Sequence, residues 1–247
     1  MSNITRRKLI KTGLAAVAGA AGLGAAARIA QNYGLIPPDH GRLYGLGETL
    51  TYASQRLLTT HSLAREFSRS QISNPPLANE IAPPNDSFKR LQAGGFADWR
   101  LSVTGMVDRP ATFSLDQLKA LPSHTQITQL QCEEGWSYIA EWTGVRLSHV
   151  LDLAGVQPHA RFIAYYSIEP DWVESMDMAD ALHPQTFLTY GLNGQELPVG
   201  NGGPLRMRLP RQLGYKSVKF ITHLAVTDDL KKIGASPGGS YAWYAGI

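Results

Sequence analysis

The only cysteine of this 247-residue chain, Cys132, lies where an apolar, strand-like run meets a turn containing glycine. Glu133 and Glu134 follow it directly and face either a substrate entrance or solvent, and Trp136 and Trp142 lie close behind. A lone thiol cannot form an internal disulfide, so it is either an inert buried side chain or a group that reacts or binds a metal. As a thiolate it would be a soft ligand, which suits a transition metal.

A second stretch that could carry chemistry is rich in glycine and proline and runs from residue 192 to residue 219. Arg206 and Arg208 alternate there with apolar residues, which predicts that both guanidinium groups leave the core on one face of a strand. Lys216 and Lys219 follow in a turn. Loop amides, a guanidinium and a lysine suit a bound phosphate. A hairpin with a solvated basic edge is the alternative interpretation.

Both stretches resemble the sulfite oxidase family of molybdenum enzymes. The first matches the family's pattern Cys-x-x-x-Trp followed by Trp-x-Gly-Val-x-Leu, at residues 132–147. The second matches Asn-Gly-x-x-Leu-Pro, then His/Asn-Gly-x-Pro-x-Arg, then Gly-x-Lys-x-x-Lys, at residues 193–219. The resemblance extends over residues 85–228. It implies a molybdenum–molybdopterin cofactor (Mo-MPT) and the molybdopterin-binding fold of that family.

The resemblance also assigns roles to individual residues. Cys132 would be the catalytic residue and the thiolate ligand of molybdenum. Asn201 stands where the classical sulfite oxidases carry His, which makes the loop more similar to the bacterial methionine-sulfoxide-reductase branch. The residues implied in binding the cofactor are Asn85, Phe88, Ser167, Asn201, Arg206, Ser217, Val218 and Lys219.

The function implied is oxygen-atom transfer on a small oxyanion or an S-oxide, by sulfite oxidation or by sulfoxide reduction. A non-catalytic periplasmic binding module with the same fold is the alternative, and the presence of Cys132 favours the enzyme. The sequence has no Cys-x-x-Cys-His haem motif. Electrons are therefore expected to pass to or from another protein, such as a membrane haem subunit or a soluble cytochrome.

The charge of the chain is concentrated at its N-terminus. The formal net charge is +3, but residues 1–30 hold five basic residues and no acid, and the rest holds 18 basic and 20 acidic residues. This balance argues against a nucleic-acid partner. Arg6 and Arg7 precede a weakly apolar run over residues 12–27, which is typical of a twin-arginine export signal and predicts a periplasmic protein. An N-terminal membrane anchor is the alternative.

The predicted organisation has three parts: the export signal (1–30), a linker with a helical segment and an extended arm (31–84), and the molybdopterin-binding oxidoreductase domain (85–247). Short strands and short helices are mixed without regular βαβ spacing, which predicts an α+β fold. A strand is expected to deliver Cys132. Ser148 is expected to cap a helix that ends at Gly155. His183 is a weaker candidate for lining a pocket.

Overall fold

The structure, a computed structural model, describes residues 46–78, 85–170, 172–233 and 241–247, together with three isolated positions before residue 46. The predicted export signal and the linker that follows it lie outside the four described ranges. The chain divides into two compact units. Helix α1 (Leu46–Leu58) belongs to one, and residues 60–247 belong to the other. The three-part division predicted from the sequence stays a prediction.

The larger unit contains ten strands and four further α-helices within the described residues. The strands are β1 (Arg100–Gly105), β2 (Ala111–Ser114), β3 (Ser123–Gln131), β4 (Ser137–Arg146), β5 (Phe162–Ser167), β6 (Val173–Asp177), β7 (Phe187–Leu192), β8 (Gln195–Glu196), β9 (Arg206–Arg208) and β10 (Ile221–Thr227). The helices are α2 (Asp86–Ala93), α3 (Leu115–Ala120), α4 (Leu147–Ala154) and α5 (Met178–Ala181).

The strands form two sheets, and one parallel pair makes the first of them mixed. That sheet has the order β2-β1-β10-β5-β6, with β1 parallel to β10 and the other neighbours antiparallel. The second sheet has the order β3-β4-β7-β8, all antiparallel, and β9 pairs with β7. The short helices connect strands without repeating βαβ units. The predicted α+β fold is therefore confirmed.

Local signals account for several element ends. The Ser114 side chain accepts a hydrogen bond from the Gln117 amide, and the Gln117 side chain accepts one from the Ser114 amide, so the two residues form a capping box that starts α3. Gly155 ends α4 at a φ of 69°, a left-handed conformation that glycine adopts without steric cost. The predicted cap at Ser148 is wrong. Strand β4 runs directly into α4, so Arg146 is the N-cap and Ser148 lies inside the first turn.

Two segments are shorter as regular elements than their sequence patterns extend. Apolar residues at roughly helical spacing over 48–69 predict one or two helices, and the α-helix described there, α1, ends at Leu58. The chain beyond it runs alongside the second sheet, where the Phe67 amide donates to the Ile127 carbonyl and the Ser73 amide donates to the Ile139 carbonyl. Alternation over 218–226 predicted one strand, but β10 begins only at Ile221, because Phe220 has a φ of 55° and turns the chain.

The largest correction concerns the arginines of β9. Alternation correctly separates them from Leu205 and Met207, but their face of the strand is covered by protein. The exposed fraction is 6% for Arg206 and 1% for Arg208. The interpretation as a hairpin with a solvated basic edge is therefore wrong.

Lys216 is also buried, in the short 3₁₀ turn that leads into Ser217. Its ammonium donates to the Glu174 carboxylate at 2.7 Å and to the Ser175 carbonyl at 2.7 Å. The Lys216 and Glu174 side chains are 1% and 0% exposed. The sequence suggested that this lysine could meet a phosphate. The structure instead pairs it with β6, where it fixes the turn that carries Ser217.

None of the helices in the described ranges is long and apolar enough to cross a membrane.

We expect Lys216→Met to lower the free energy of unfolding by about 3–5 kcal/mol, because the substitution leaves the buried Glu174 carboxylate without its cation. Urea unfolding monitored by tryptophan fluorescence measures the loss. Combining Lys216→Met with Glu174→Gln should recover part of it. Lys119 pairs with Glu196, whose side chain is 86% exposed, so Lys119→Met is the control and should cost less than about 1 kcal/mol. Equal losses for the two lysine variants would contradict the anchoring role.

Candidate active site

Cys132 is presented by a tight turn at the end of β3. Its amide donates to the Trp136 carbonyl at 2.9 Å, and the Gly135 amide donates back to the Cys132 carbonyl at 3.2 Å. Gly135 has a φ of 92°, a left-handed conformation that glycine adopts without steric cost. The turn leaves the thiol 9% exposed, at the wall of a cleft. The Cys132 side chain therefore reaches the cleft from the turn at the end of β3.

The cleft joins the two stretches that the sequence singled out. Gly214 closes it beside the thiol, where an added Cβ would lie 3.1 Å from the Gln131 carbonyl oxygen and 3.4 Å from the Cys132 Cα. The lining residues are Leu130, Cys132, Glu133, Trp136, Glu169, Trp172, Arg206, Gly214, Tyr215, Ser217, Val218 and Lys219.

The thiol is held in its neutral form in the protein without a metal. Burial is the main reason that the pKa of Cys132 is raised to about 11; the charges of Glu133 and Glu134 act in the same direction, and a hydrogen bond from the Glu134 amide acts against them. The sulfur lies 3.5 Å from a Glu133 carboxylate oxygen and 3.8 Å from one of Glu134. A ligating thiol must lose its proton. The positive charge of a bound metal is what would offset this environment.

The other end of the cleft carries buried positive charge. Arg206 donates from Nε to the Ser217 carbonyl at 2.8 Å and from a terminal nitrogen to the Asn201 carbonyl at 2.9 Å. Lys219 donates to the Gly200 carbonyl at 2.9 Å. Gly202 has a φ of 105°, and an added Cβ would lie 2.8 Å from Lys219 Cγ. Glycine is therefore required for the loop to approach both cations.

The predicted cofactor residues divide into lining and supporting positions. Cys132, Arg206, Ser217, Val218 and Lys219 line the cleft. The other four predicted residues, Asn201, Ser167, Asn85 and Phe88, lie outside the lining.

These four residues support neighbouring segments. The Asn201 amide donates to the Leu77 carbonyl at 2.9 Å. Ser167 Oγ accepts from the Glu169 amide at 3.0 Å. Asn85 caps α2 and donates to the Ile168 carbonyl at 3.2 Å, while Phe88 packs edge-on against Phe220 at 5.1 Å. Asn85, Ser167 and Phe88 thus hold the loop after β5 and the turn before β10, which border the cleft. Asn201 connects its own loop to the segment around Leu77.

The sequence did not single out three residues that line the cleft. Glu169 and Trp172 lie in the loop after β5, and Tyr215 lies in the turn before Ser217. A polar and aromatic loop directly after a predicted buried strand was the signal that could have identified the first two. Tyr215 is held from the C-terminal segment: its hydroxyl donates to the Ala242 carbonyl, and its ring stacks on that of Tyr241 at 4.7 Å.

The weaker candidates are structural. His183 lies outside the cleft lining, and its Nδ1 accepts from the Gln185 amide at 3.2 Å. Burial, with a further contribution from Arg211, lowers the pKa of His183 to about 4, so the ring is neutral at physiological pH. Asp177 caps α5, where its side chain accepts a hydrogen bond from the Asp180 amide at 3.0 Å. Asp180 accepts from Arg211 at 3.4 Å in a buried ion pair.

The described residues fit a molybdenum–pterin cofactor. Cys132 is a soft donor facing the cleft, and Arg206 is a buried guanidinium that hydrogen-bonds to backbone carbonyls in the described part of the chain. Gly202 lets its loop approach Lys219 and Arg206 closely, and Gly214 lets its turn approach the end of β3 beside Cys132. A single ligand with a metal at one end and an anion at the other would satisfy both groups.

Comparison with known proteins agrees with this geometry. The putative protein-methionine-sulfoxide reductase subunit YedZ1 of Azospira oryzae is 37% identical over 195 residues, which cover 77% of this chain and 70% of that protein. The protein-methionine-sulfoxide reductase catalytic subunit MsrP of Ralstonia nicotianae is 37% identical over 145 residues, covering 53% of this chain and 44% of that protein. The MsrP of Xanthomonas campestris pv. campestris is 33% identical over 162 residues, covering 60% and 49%. The chain thus spans less than half the length of both MsrP proteins.

The fold has a solved counterpart in the crystal structure of the sulfane dehydrogenase SoxCD from Paracoccus pantotrophus. The TM-score is 0.52 at 24% identity, and the match covers 54% of this chain and 39% of that one. At this identity the likeness concerns the fold. Residues 90–233 match the family model described as the oxidoreductase molybdopterin binding domain. This match covers more than half of the chain and confirms the predicted cofactor and enzyme class: the chain belongs to the molybdopterin-binding oxidoreductase family that includes the sulfite oxidase-like enzymes.

Proposed function

We propose that this protein reduces S-oxides, removing the oxygen atom of a neutral sulfoxide with two electrons received from another protein. The observation that carries the proposal is the charge of the cleft wall around the thiol. Glu133 and Glu169 line the cleft, and Glu134 lies within 3.8 Å of the sulfur. Sulfite is an anion at neutral pH and is repelled by such a wall, whereas a sulfoxide carries no net charge.

The aromatic residues of the cleft suit the same substrate. Trp136 and Trp172 line it, and Trp172 is 38% exposed. The Trp136 indole donates to a Glu134 oxygen at 3.0 Å, which fixes the orientation of its ring. Indole rings offer apolar area to the carbon groups that flank the sulfur of a sulfoxide. The names of the relatives, which describe methionine-sulfoxide reductases, support this substrate class.

The chain's own residues have separate tasks in this reaction. A bound molybdenum–pterin centre supplies two-electron oxygen-atom transfer. Cys132 would hold the metal, and Arg206 and Lys219 would hold the anionic end of the cofactor. The sulfoxide accepts two electrons and two protons and yields a sulfide and water. We propose that a separate haem subunit or a soluble cytochrome delivers the electrons, which the relatives' names support, since they describe a reductase subunit and a catalytic subunit.

Oxidation of a small oxyanion is the second candidate, and the presence of Arg206 and Lys219 in the cleft is the observation that favours it. Both cations lie at the end assigned to the cofactor, however, and the thiol end is acidic. The binding-module alternative has less support, because Cys132 lines the same cleft as the cations.

We expect Glu169→Gln to raise kcat/KM for sulfite by up to about tenfold, because it removes a negative charge that opposes anion entry, worth about 1.4 kcal/mol at most. Turnover of neutral methyl p-tolyl sulfoxide should change much less. Steady-state assays with artificial electron acceptors and donors measure both. Glu196→Gln removes an exposed carboxylate outside the cleft and is the matched control. A wild-type enzyme that oxidises sulfite efficiently and ignores the sulfoxide would refute the proposed direction.

We expect the purified protein to contain about one molybdenum per chain and Cys132→Ser to lose the metal-centred paramagnetic spectrum. A serine hydroxyl is a harder and less acidic ligand than a thiol. Elemental analysis and electron paramagnetic resonance measure the two quantities. An unchanged molybdenum content and an unchanged spectrum in Cys132→Ser would show that the thiol is not a ligand.

We also propose that the chain is exported in a folded state through the twin-arginine route and works in the periplasm. Arg6 and Arg7 support this export route. The residues that line the cleft all lie beyond residue 85. Cofactor loading should therefore not depend on the signal.

Changing Arg6 and Arg7 together to lysine should leave a folded, molybdenum-loaded enzyme in the cytoplasm. Cell fractionation with an activity assay on an artificial donor measures its location, and elemental analysis measures its loading. Lys11→Arg keeps the pair and is the control. Full periplasmic activity from the double lysine variant would favour the membrane-anchor alternative. Cytoplasmic protein without molybdenum would contradict independent loading.

A further inference from the structure

Arg208 is a buried cation for which the described part of the chain provides no acid. Its exposed fraction is 1%, and it lies outside the cleft lining. Two other buried cations of the larger unit have a carboxylate partner: Lys216 pairs with Glu174, and Arg211 pairs with Asp180. Among the described residues no carboxylate forms an ion pair with Arg208.

The hydrogen bonds of Arg208 lead to the strand that presents the thiol. A terminal nitrogen donates to Thr128 Oγ1 at 3.0 Å and to the Gln129 carbonyl at 2.6 Å. Both acceptors lie in β3, which ends one residue before Cys132. The Nε of Arg208 is buried and has no acceptor within the described ranges. Neutral acceptors thus satisfy part of the guanidinium, and none of the described carboxylates forms an ion pair with it.

Trp142 connects Arg208 to the basic end of the cleft. The guanidinium carbon of Arg208 lies 4.9 Å from the Trp142 ring centroid, and that of Arg206 lies 5.7 Å from the same centroid. Trp142 is fully buried, and its indole donates to the Thr128 carbonyl at 3.2 Å. Two like charges therefore share one aromatic ring between the thiol strand and the lining residue Arg206.

We propose that Arg208 is a positioning residue for the cofactor, whose anionic phosphate end compensates the shared charge of Arg206 and Arg208 at Trp142. Arg208 does not touch the cofactor in this arrangement. It adds positive potential behind Arg206 and braces β3 ahead of Cys132. The inference holds for either direction of oxygen transfer, since it concerns how the cofactor is retained.

The energetic consequence differs between the loaded and the metal-free protein. An isolated buried charge is costly, and two of the same sign around one ring add repulsion. Burial and then the charge of Arg206 lower the pKa of Arg208 to about 9, which shows the direction of that cost. An anion near Arg206 lowers the cost for both residues. Arg208 therefore destabilises the empty fold and stabilises the anion-bound one.

The test compares thermal unfolding of the metal-free protein with and without inorganic phosphate, at matched ionic strength in chloride. Wild-type protein should show a higher Tm with phosphate. In Arg208→Met the Tm without phosphate should be equal to or higher than that of the wild type, and the phosphate-induced rise should fall by at least half. Arg208→Lys keeps the charge and should keep most of the rise. If Arg208→Met does not fold, Arg208→Gln, which removes the charge and keeps one donor, takes its place.

Arg211→Met is the matched control, because it removes a buried arginine that has a carboxylate partner. It should lower the Tm of the metal-free protein and leave the phosphate-induced rise unchanged. Molybdenum content after purification gives a second readout, which should fall by at least half in Arg208→Met and less in Arg208→Lys. A lower Tm for Arg208→Met with an unchanged phosphate-induced rise would overturn the proposal and assign Arg208 a purely structural role.

Discussion

Two guanidinium groups on one buried indole ring are the constraint around which the second sheet is arranged. Trp142 lies in β4, between β3, which leads to Cys132, and β7, which pairs with β9. Each arginine needs acceptors that only a particular arrangement of backbone carbonyls provides, and these come from β3 and from the loops around Asn201 and Ser217. The same contacts therefore determine the packing of this sheet and the positions of both ends of the cleft.

The cleft is the electrostatic complement of a ligand that carries opposite charges at its two ends. Acidic side chains and burial keep the thiol neutral until a cation arrives. Buried guanidinium groups hold positive charge that an anion would compensate. Each half is unfavourable alone, because buried charge without a partner is costly. A metal joined to a phosphate-bearing pterin satisfies both halves at once, which a free metal or a free phosphate does not.

The sequence predicted most of what depends on local chemistry. The strand ahead of Cys132, the capping box at Ser114 and the turn at Gly155 follow from alternation and from backbone preferences. The family resemblance brought together Cys132 and Arg206, which do line one cleft. The sequence did not predict the environment of each of these side chains. Alternation shows which residues share a face, but it does not show whether solvent or another strand covers that face.

The same limit explains the misplaced charges. Lys216 was expected to meet a phosphate, but its partner is Glu174, 42 positions away in the sequence and in the other sheet's edge strand. Arg208 was expected to leave the core, but Trp142, which is 66 positions earlier in the sequence, packs against its guanidinium group. Such pairings depend on which strands and turns the tertiary fold brings together, and local sequence patterns do not show this. A fold that carries uncompensated buried cations until its cofactor is inserted gains stability from loading, which gives a physical reason for the proposed order: cofactor first, export of the folded protein second.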